Sequence, residues 1–382
     1  MRILHINTNY PYNVLHRNMI KAMPAGEAEH FVFAPVRKGS EPLPDITPNV
    51  YSPVCYTVAD RFLYFNKRRK LYHTLEKLLD LRSFGLLHAY TLFTDGDIAY
   101  RVHKKYGTPY VVAIRNSDVN FFFRWFFFLQ PYAMRILENA ETIFFLSDAY
   151  RREVFSRYIP SDKKESLYRK TAIIPNGIDT FWHSHVPEES VLENRTALAA
   201  QEPLPLLFAG TLDRNKNPRA IVEAMAILEK RGVKTRLTMV GKIKSKRYTE
   251  QLLQAPGVTY HEPMTQAPLL EQYRSHAIFV MPSYHETFGL VYAEALSQGM
   301  PVIYTRGQGF DGHFPEGSIG KAVDADCPEE IADAILTIRD AFPSIQHRCL
   351  AASQRFYWEK IDMAYMEIYK KTYGKSTREG DE

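Results

Sequence analysis

The amino-acid sequence predicts an α/β protein made of two doubly wound domains in succession. Length is one reason: 382 residues exceed what a single hydrophobic core usually organises and suit two cores of ordinary size. Rhythm is another. Short apolar runs at residues 3–6, 31–35, 86–89, 110–114, 142–146 and 172–174 alternate with amphipathic stretches of helical length, the pattern of a parallel sheet covered by helices on both faces. The rhythm then stops and restarts. Residues 179–205 are polar, contain prolines and show no apolar period, and a second series follows at 206–209, 237–240, 258–260, 278–281, 302–304 and 322–323. Domains are therefore expected over residues 1–180 and 181–354, joined by that polar linker. A closing helix is expected over 355–373, where Trp358, Ile361, Tyr365, Ile368 and Tyr369 recur at three- and four-residue steps; residues 374–382 are expected to fray.

Composition narrows the class. With 45% hydrophobic and 24% charged residues the chain reads as a soluble globular protein. The opening run is too short and polar for a secretory signal, and no eighteen-residue apolar run exists, so a cytoplasmic chain with at most peripheral membrane contact is expected. Cys55, Cys327 and Cys349 form no C-x-x-C pair and are expected as reduced core thiols. The net charge of +5 is uneven: residues 1–200 hold 26 Lys and Arg against 20 Asp and Glu, and the remainder 22 against 23. That asymmetry suits an anionic partner for the first half, an acidic lipid or a phosphate-bearing acceptor; scattered solvated lysines would give the same count. No nucleic-acid-binding module is recognisable.

The segment from Val280 to Gly299 carries the strongest chemical signal. A strand gives out near Pro282, a loop carries Glu286, and a helix is expected from about Phe288 to Gly299, a usual terminating residue. Such a loop lies at the carboxyl end of a parallel strand, where open α/β sheets bind ligands. The first helical N–H groups, near Phe288, Gly289 and Leu290, lack intrahelical acceptors and suit a phosphate. Glu294 is the odd residue in an otherwise apolar helix. A buried carboxylate needs donors, which a ribose diol would supply and a neighbouring arginine would supply equally well.

The spacing Glu286 to Glu294, E-x7-E, closely resembles the motif of the family-4 (group 1) retaining glycosyltransferases with the GT-B fold. Phe208-Ala209-Gly210-Thr211-Leu212 with Lys216-Asn217 is similar to that family's first C-domain strand and lysine loop. Ile174-Pro175-Asn176-Gly177-Ile178-Asp179 is similar to its hinge, and Phe356-Tyr357-Trp358-Glu359-Lys360 to its last helix. The resemblance implies two Rossmann-like domains facing a central cleft, with the last helix crossing back to the N-domain. It implies that Glu286 contacts the transferred sugar, Glu294 the ribose and Lys216 the diphosphate. Gly210, Thr211, Arg214, Thr287, Phe288, Gly289, Leu290 and Met264 would complete the donor site, and Arg214 would replace an arginine that relatives carry where this chain has Thr211. In the N-domain, Arg115 stands where relatives carry a histidine, and a guanidinium cannot be a general base. Arg115, with Asn116, Asp118 and Asn9, is expected to position acceptor or phosphate. The implied reaction is metal-independent, hexosyltransferase-type retaining transfer from a nucleoside-diphosphate sugar, a UDP-sugar above others, to a glycan or lipid-linked acceptor in cell-surface polysaccharide biosynthesis. Rivals are an epimerase or phosphorylase of the same architecture, and a sugar-nucleotide-binding protein without catalysis.

Weaker patterns have simpler readings. Asp95-Gly96-Asp97 and Asp324-Ala325-Asp326 match a D-x-D metal motif, but the first falls where a helix begins and suits the helix dipole; no metal is expected at either. Gly307-Gln308-Gly309-Phe310-Asp311-Gly312 satisfies G-x-G-x-x-G without a following helix, and is expected as a donor-side loop. Phe121 to Phe128, seven rings around Arg124, exceed what one helix face buries. With the cations Lys67, Arg68, Arg69 and Lys70 they suit a bilayer surface at the inner face of the plasma membrane; a helix packed on both sides would be equally aromatic.

Overall fold

The computed structural model describes residues 1–24, 26–43, 47–61 and 63–378. The chain divides into two compact units, the first comprising residues 1–146, 151–175 and 358–382, the second 147–150 and 176–357. The division falls at Pro175/Asn176, a few residues before the expected boundary.

In the first unit the strands are β1 (Arg2–Ile6), β2 (Glu29–Phe33), β3 (Val36–Arg37), β4 (Val50–Tyr51), β5 (Val54–Tyr56), β6 (Leu86–Ala89), β7 (Tyr110–Ala113), β8 (Thr142–Phe145) and β9 (Thr171–Ile173). Seven form a parallel sheet ordered β4-β2-β1-β6-β7-β8-β9, and β3 pairs with β5 apart from it. Because the chain steps outward from β1 to β2 and later resumes on its other side at β6, a topological switch point falls between β1 and β6. The last helix, Trp358–Arg378, belongs to this unit. Trp358, Ile361, Tyr365, Met366 and Tyr369 pack with Ile3, Leu86, Val111 and Phe144, and the Tyr369 hydroxyl lies 2.6 Å from His88 Nδ1 in the core. The helix continues through Gly374, so residues 374–378 do not fray as expected; 379–382 lie outside the described residues.

The second unit contains β10 (Leu204–Ala209), β11 (Thr235–Val240), β12 (Val258–His261), β13 (Ile278–Val280), β14 (Val302–Thr305) and β15 (Gly320–Val323), all parallel in the order β12-β11-β10-β13-β14-β15. Leu206 faces Ile278 across the central pair, and the switch point lies between β10 and β13.

The stretch expected as a linker is instead helical over Thr180–Ser184 and Glu189–Ala199. Helix 189–199 buries Leu192, Arg195 and Ala199, a helical step whose middle member is charged, which hides it from an apolar count. The Arg195 guanidinium is wholly buried and donates to the carbonyls of His276 (3.2 Å), Tyr273 (2.8 Å) and Gln298. It thereby satisfies carbonyls at or just beyond the C-terminal ends of helices 266–274 and 290–297, at the cost of a pKa lowered by burial to about 10. All three cysteines are free, but only Cys349 is buried; Cys55 and Cys327 are partly exposed, so two of the expected core thiols are not in the core.

Candidate functional site

In the second unit the loops leaving β10 and β13 diverge at the switch point and enclose a hollow of about 340 Å³. Asn176, Gly210, Thr211, Lys216, Met281 and residues 286–291 line it. Each charged side chain there has a local cause. After β10 the Asp213 carboxylate accepts the Lys216 N–H at 2.9 Å, closing a turn that ends in Asn217 at positive φ, where helix 218–230 begins. Asn215 then joins the two loops: its Oδ1 accepts from His285 N at 3.1 Å, its Nδ2 donates to His285 O at 3.0 Å, and its carbonyl accepts from Tyr284 N at 2.8 Å. With the loops fastened so, Lys216 Nζ donates to Glu286 Oε2 in an ion pair that is mostly, though not wholly, shielded from solvent.

The glycine-rich loop supports the same segment from behind. Gln308 Oε1 accepts from Glu286 N at 2.9 Å, and Gly309 N donates to Glu286 O at 2.7 Å. A Cβ on Gly309 would stand 2.0 Å from the Thr287 carbonyl oxygen, so only glycine permits this approach. Gly289 has φ +79°, and a Cβ there would meet the Tyr292 ring at 2.5 Å. It caps a helix that runs over Leu290–Ser297, two residues later than expected. The free amides at its head are therefore those of Leu290 and Val291, since Tyr292 N already donates to Gly289 O. An ammonium, a carboxylate and outward-facing amides in one hollow can receive a diphosphate and a sugar hydroxyl.

Glu294 lies four residues beyond Leu290 on the same helix face and is half-buried, but it is not among the residues that line the hollow. Burial raises its pKa to about 7, partly offset by the Tyr273 hydroxyl, which donates to Oε2 at 3.2 Å. The Trp182 indole also lowers it and the Asp179 charge raises it, so its neighbours are Tyr273, Trp182 and Asp179 and not the arginine that was the alternative to a ligand. Gly210, Thr211, Thr287, Phe288, Gly289 and Leu290 line the hollow. Met264, half-buried after β12, and Arg214 do not line this hollow. Arg214 faces a different cavity with Arg219 and Arg247, because the turn that aims Lys216 one way aims residue 214 the other.

In the first unit Arg115 follows β7 and interacts with Tyr365 of the last helix. Asp118 departs from expectation. It is wholly buried, and its carboxylate accepts the backbone N–H groups of Arg115 (2.9 Å), Leu92 (3.1 Å) and Phe93 (3.1 Å). It holds two loops in place instead of meeting a ligand, and burial raises its pKa to about 6 despite those bonds. Asn116 is exposed and bonded to Asn120; Asn9 is exposed beside the β1 turn that Asn7 organises. Sequence reasoning passed over His16, hydrogen-bonded to Asn7 at 2.9 Å, whose pKa is lowered to about 3 by burial and then by Arg115, so it is neutral. It also took Asn176 for hinge alone.

Both D-x-D pairs are engaged within the protein. Asp97 pairs with Arg68 and Arg101, Asp95 accepts from Thr8 N, and Asp326 accepts from the Tyr284 hydroxyl. Among the described residues no group of three or more His, Cys, Asp or Glu side chains converges as a metal site, and no helix is long and apolar enough to cross a membrane.

Residues 204–340 match the family described as Glycosyl transferases group 1, a stretch that contains every lining residue of the hollow except Asn176. The D-inositol 3-phosphate glycosyltransferase of Paenarthrobacter aurescens is 32% identical over 179 residues, 43% of this chain and 43% of that protein, so the match spans less than half of the relative's length. Sucrose-phosphate synthase from Thermosynechococcus elongatus superposes over 98% of this chain and 99% of its own with a TM-score of 0.75 at 19% identity. Anabaena HepE, solved in complex with UDP-glucose, does so over 97% and 100% with a TM-score of 0.66 at 15% identity. The protein has the GT-B fold of two Rossmann-like units. Over residues 204–340 it is similar to the group 1 glycosyltransferases.

Proposed function

We propose that the chain is a metal-independent retaining glycosyltransferase that moves a hexose from a UDP-sugar to a glycan or lipid-linked acceptor in the cytoplasm, for cell-surface polysaccharide. The observation that carries this reading is the Lys216–Glu286 pair set against the free amides of Leu290 and Val291 in one hollow. In the step proposed, the bond from the sugar's anomeric carbon to the diphosphate oxygen breaks while the acceptor oxygen bonds to the same face. The acceptor's proton passes to the departing phosphate oxygen, so no protein base is required. Lys216 and the helix amides stabilise charge gathering on the leaving diphosphate, and Glu286 holds sugar hydroxyls. The likeness to a D-inositol 3-phosphate glycosyltransferase and to a fold solved with UDP-glucose supports a nucleotide-sugar donor. The test is transfer from a panel of UDP-, GDP- and ADP-sugars. Transfer from a UDP-sugar that Glu286→Gln abolishes is expected; donor binding with neither transfer nor donor hydrolysis would identify a non-catalytic binding protein.

We further propose that the first unit meets a bilayer. Trp125 and Phe127 are 64% and 72% exposed, Phe65, Phe121 and Phe128 are exposed beside them, and ring contacts join the patch through Tyr64, Phe122 and Phe126. Phe123 alone of the run is buried. The cationic share is smaller than expected, since Arg68 pairs with Asp97 and Lys70 with Asp60, but Arg69 and Arg124 remain exposed. Rings with flanking guanidiniums suit an anionic headgroup layer. Co-sedimentation with phosphatidylglycerol vesicles that Trp125→Asp with Phe127→Asp abolishes is expected; unchanged co-sedimentation would refute it.

A further inference from the structure

A cavity of about 810 Å³ opens in the second unit beside the head of helix 218–230 and along helix 246–253, apart from the hollow that Lys216 and Glu286 line. Its walls carry Arg214, Arg219 and Arg247, the rings of Tyr248 and Tyr284, and one carboxylate, Glu250. Among the described residues none of the three arginines has a carboxylate within ion-pair distance, although acids are close by. Asp213 is taken up by Lys244 at 3.3 Å, and Asp326 by the Tyr284 hydroxyl at 2.6 Å. Arg219 lies over the Tyr248 ring with its guanidinium carbon 5.6 Å from the centroid, which brings the two helices' walls together.

Three arginines against one carboxylate in the lining, all exposed at its mouth, give the cavity a surplus of positive charge, and planar guanidinium forks match the oxygens of a phosphate. The volume exceeds what a free phosphate fills and suits a ligand of sugar size, whose apolar face the two tyrosine rings can cover. We infer that this cavity is a second ligand site, binding a soluble sugar phosphate through Arg214, Arg219 and Arg247. It goes beyond the transfer reaction, yet it shares both of that reaction's loops. Arg214 and Asn217 flank Lys216, and Tyr284 precedes Glu286 by two residues in the loop that Asn215 ties down. A ligand here therefore acts on the segments that aim Lys216 and Glu286, and a change in donor affinity must be matched by an equal change in its own.

The experiment is calorimetric titration of the full chain with glucose 6-phosphate, with inorganic phosphate and unphosphorylated glucose as comparisons. Glucose 6-phosphate is expected to bind more tightly than either. Arg219→Ala with Arg247→Ala is expected to weaken it about 100-fold, taking about tenfold for each charge-assisted contact. UDP binding in the same variant should stay within about threefold of the unsubstituted protein. Equal binding of glucose 6-phosphate by protein and variant would overturn the inference. So would its displacement by saturating UDP, which would make the cavity part of the donor site. A lipid source of the phosphate is told apart by vesicles: binding of phosphatidic acid vesicles that depends on Arg219 and Arg247, without binding of the soluble ester, also overturns it. The failure of donor transfer would leave each of these readouts intact.

Discussion

If a ribose diol donates to Glu294, donor binding must be linked to protons, and the size of the linkage follows from the carboxyl's surroundings. Burial holds its pKa at about 7, and the Tyr273 hydroxyl supplies one donor to one oxygen. A diol offering two hydrogen bonds is accepted by the carboxylate and not by the protonated acid. At pH 7 about half of the molecules carry the proton, so binding should release about half a proton per donor, rising towards about one at pH 5.5. Affinity should fall about tenfold for each pH unit below 7 and level off above about 8. UDP-glucose is the ligand to use, because its diphosphate has no group that titrates in this range. Calorimetry in two buffers of different ionisation enthalpy measures the release directly. Glu294→Gln should bind more weakly and lose the pH dependence; a release that persists in Glu294→Gln would refute the ribose role. The same shift affects stability. The fold favours the protonated carboxyl, a contribution fully present below about pH 4.5 and lost as pH rises through about 7. With the side chain's partial exposure allowed for, the loss is about 1–3 kcal/mol. Thermal denaturation should therefore show Glu294→Gln gaining on the unsubstituted protein between pH 5 and pH 8.

Other substitutions separate chemistry from scaffolding. Lys216→Met should lower kcat/KM for transfer about 10²–10³-fold, the usual effect of removing one group that stabilises a leaving anion, with the melting temperature little changed. Gly309→Ala places a methyl against the Thr287 carbonyl and should displace the Glu286 loop; a UDP affinity within twofold of normal would show that loop to be less constrained than its hydrogen bonds suggest. Arg195→Met removes the donor that three buried carbonyls share and should cost about 3–5 kcal/mol, read as a drop of about 10 °C in the second unit's melting transition.

Twelve of the thirteen strands in the two large sheets were legible because a strand buried on both faces must be a run of apolar residues, and such runs stand out between helices. Val36–Arg37, Val50–Tyr51 and Val54–Tyr56 were not, since two or three residues carry no period. Helix 189–199 was missed for a different reason: its buried face is centred on Arg195, whose burial depends on carbonyls contributed by residues far along the chain. The site shows the same division. Lys216 and Glu286 are local features, each visible in its own loop between a strand and the helix that follows it. Asp118, by contrast, looks like any carboxylate near a strand end until its three backbone partners are seen, two of them more than twenty residues away. Arg214 fails likewise, because proximity in sequence to Lys216 says nothing of which side of a turn a side chain leaves from.

The pH dependence of turnover decides whether the protein needs a base of its own. The lining of the hollow includes two ionisable side chains, Lys216 and Glu286, and they are bonded to each other. Arg115 cannot accept a proton, and His16, whose pKa burial and Arg115 lower to about 3, is too weak a base to hold one near neutrality. If the departing phosphate takes the acceptor's proton, no titrating side chain takes part in the step, and kcat should be flat from about pH 6 to pH 8.5. The profile of kcat/KM reports the free enzyme and should still bend at about pH 7, where Glu294 titrates. A kcat that instead falls tenfold per unit on the acid side, with a slope that Glu294→Gln leaves in place, would require a protein base and would exclude proton transfer to the leaving group alone.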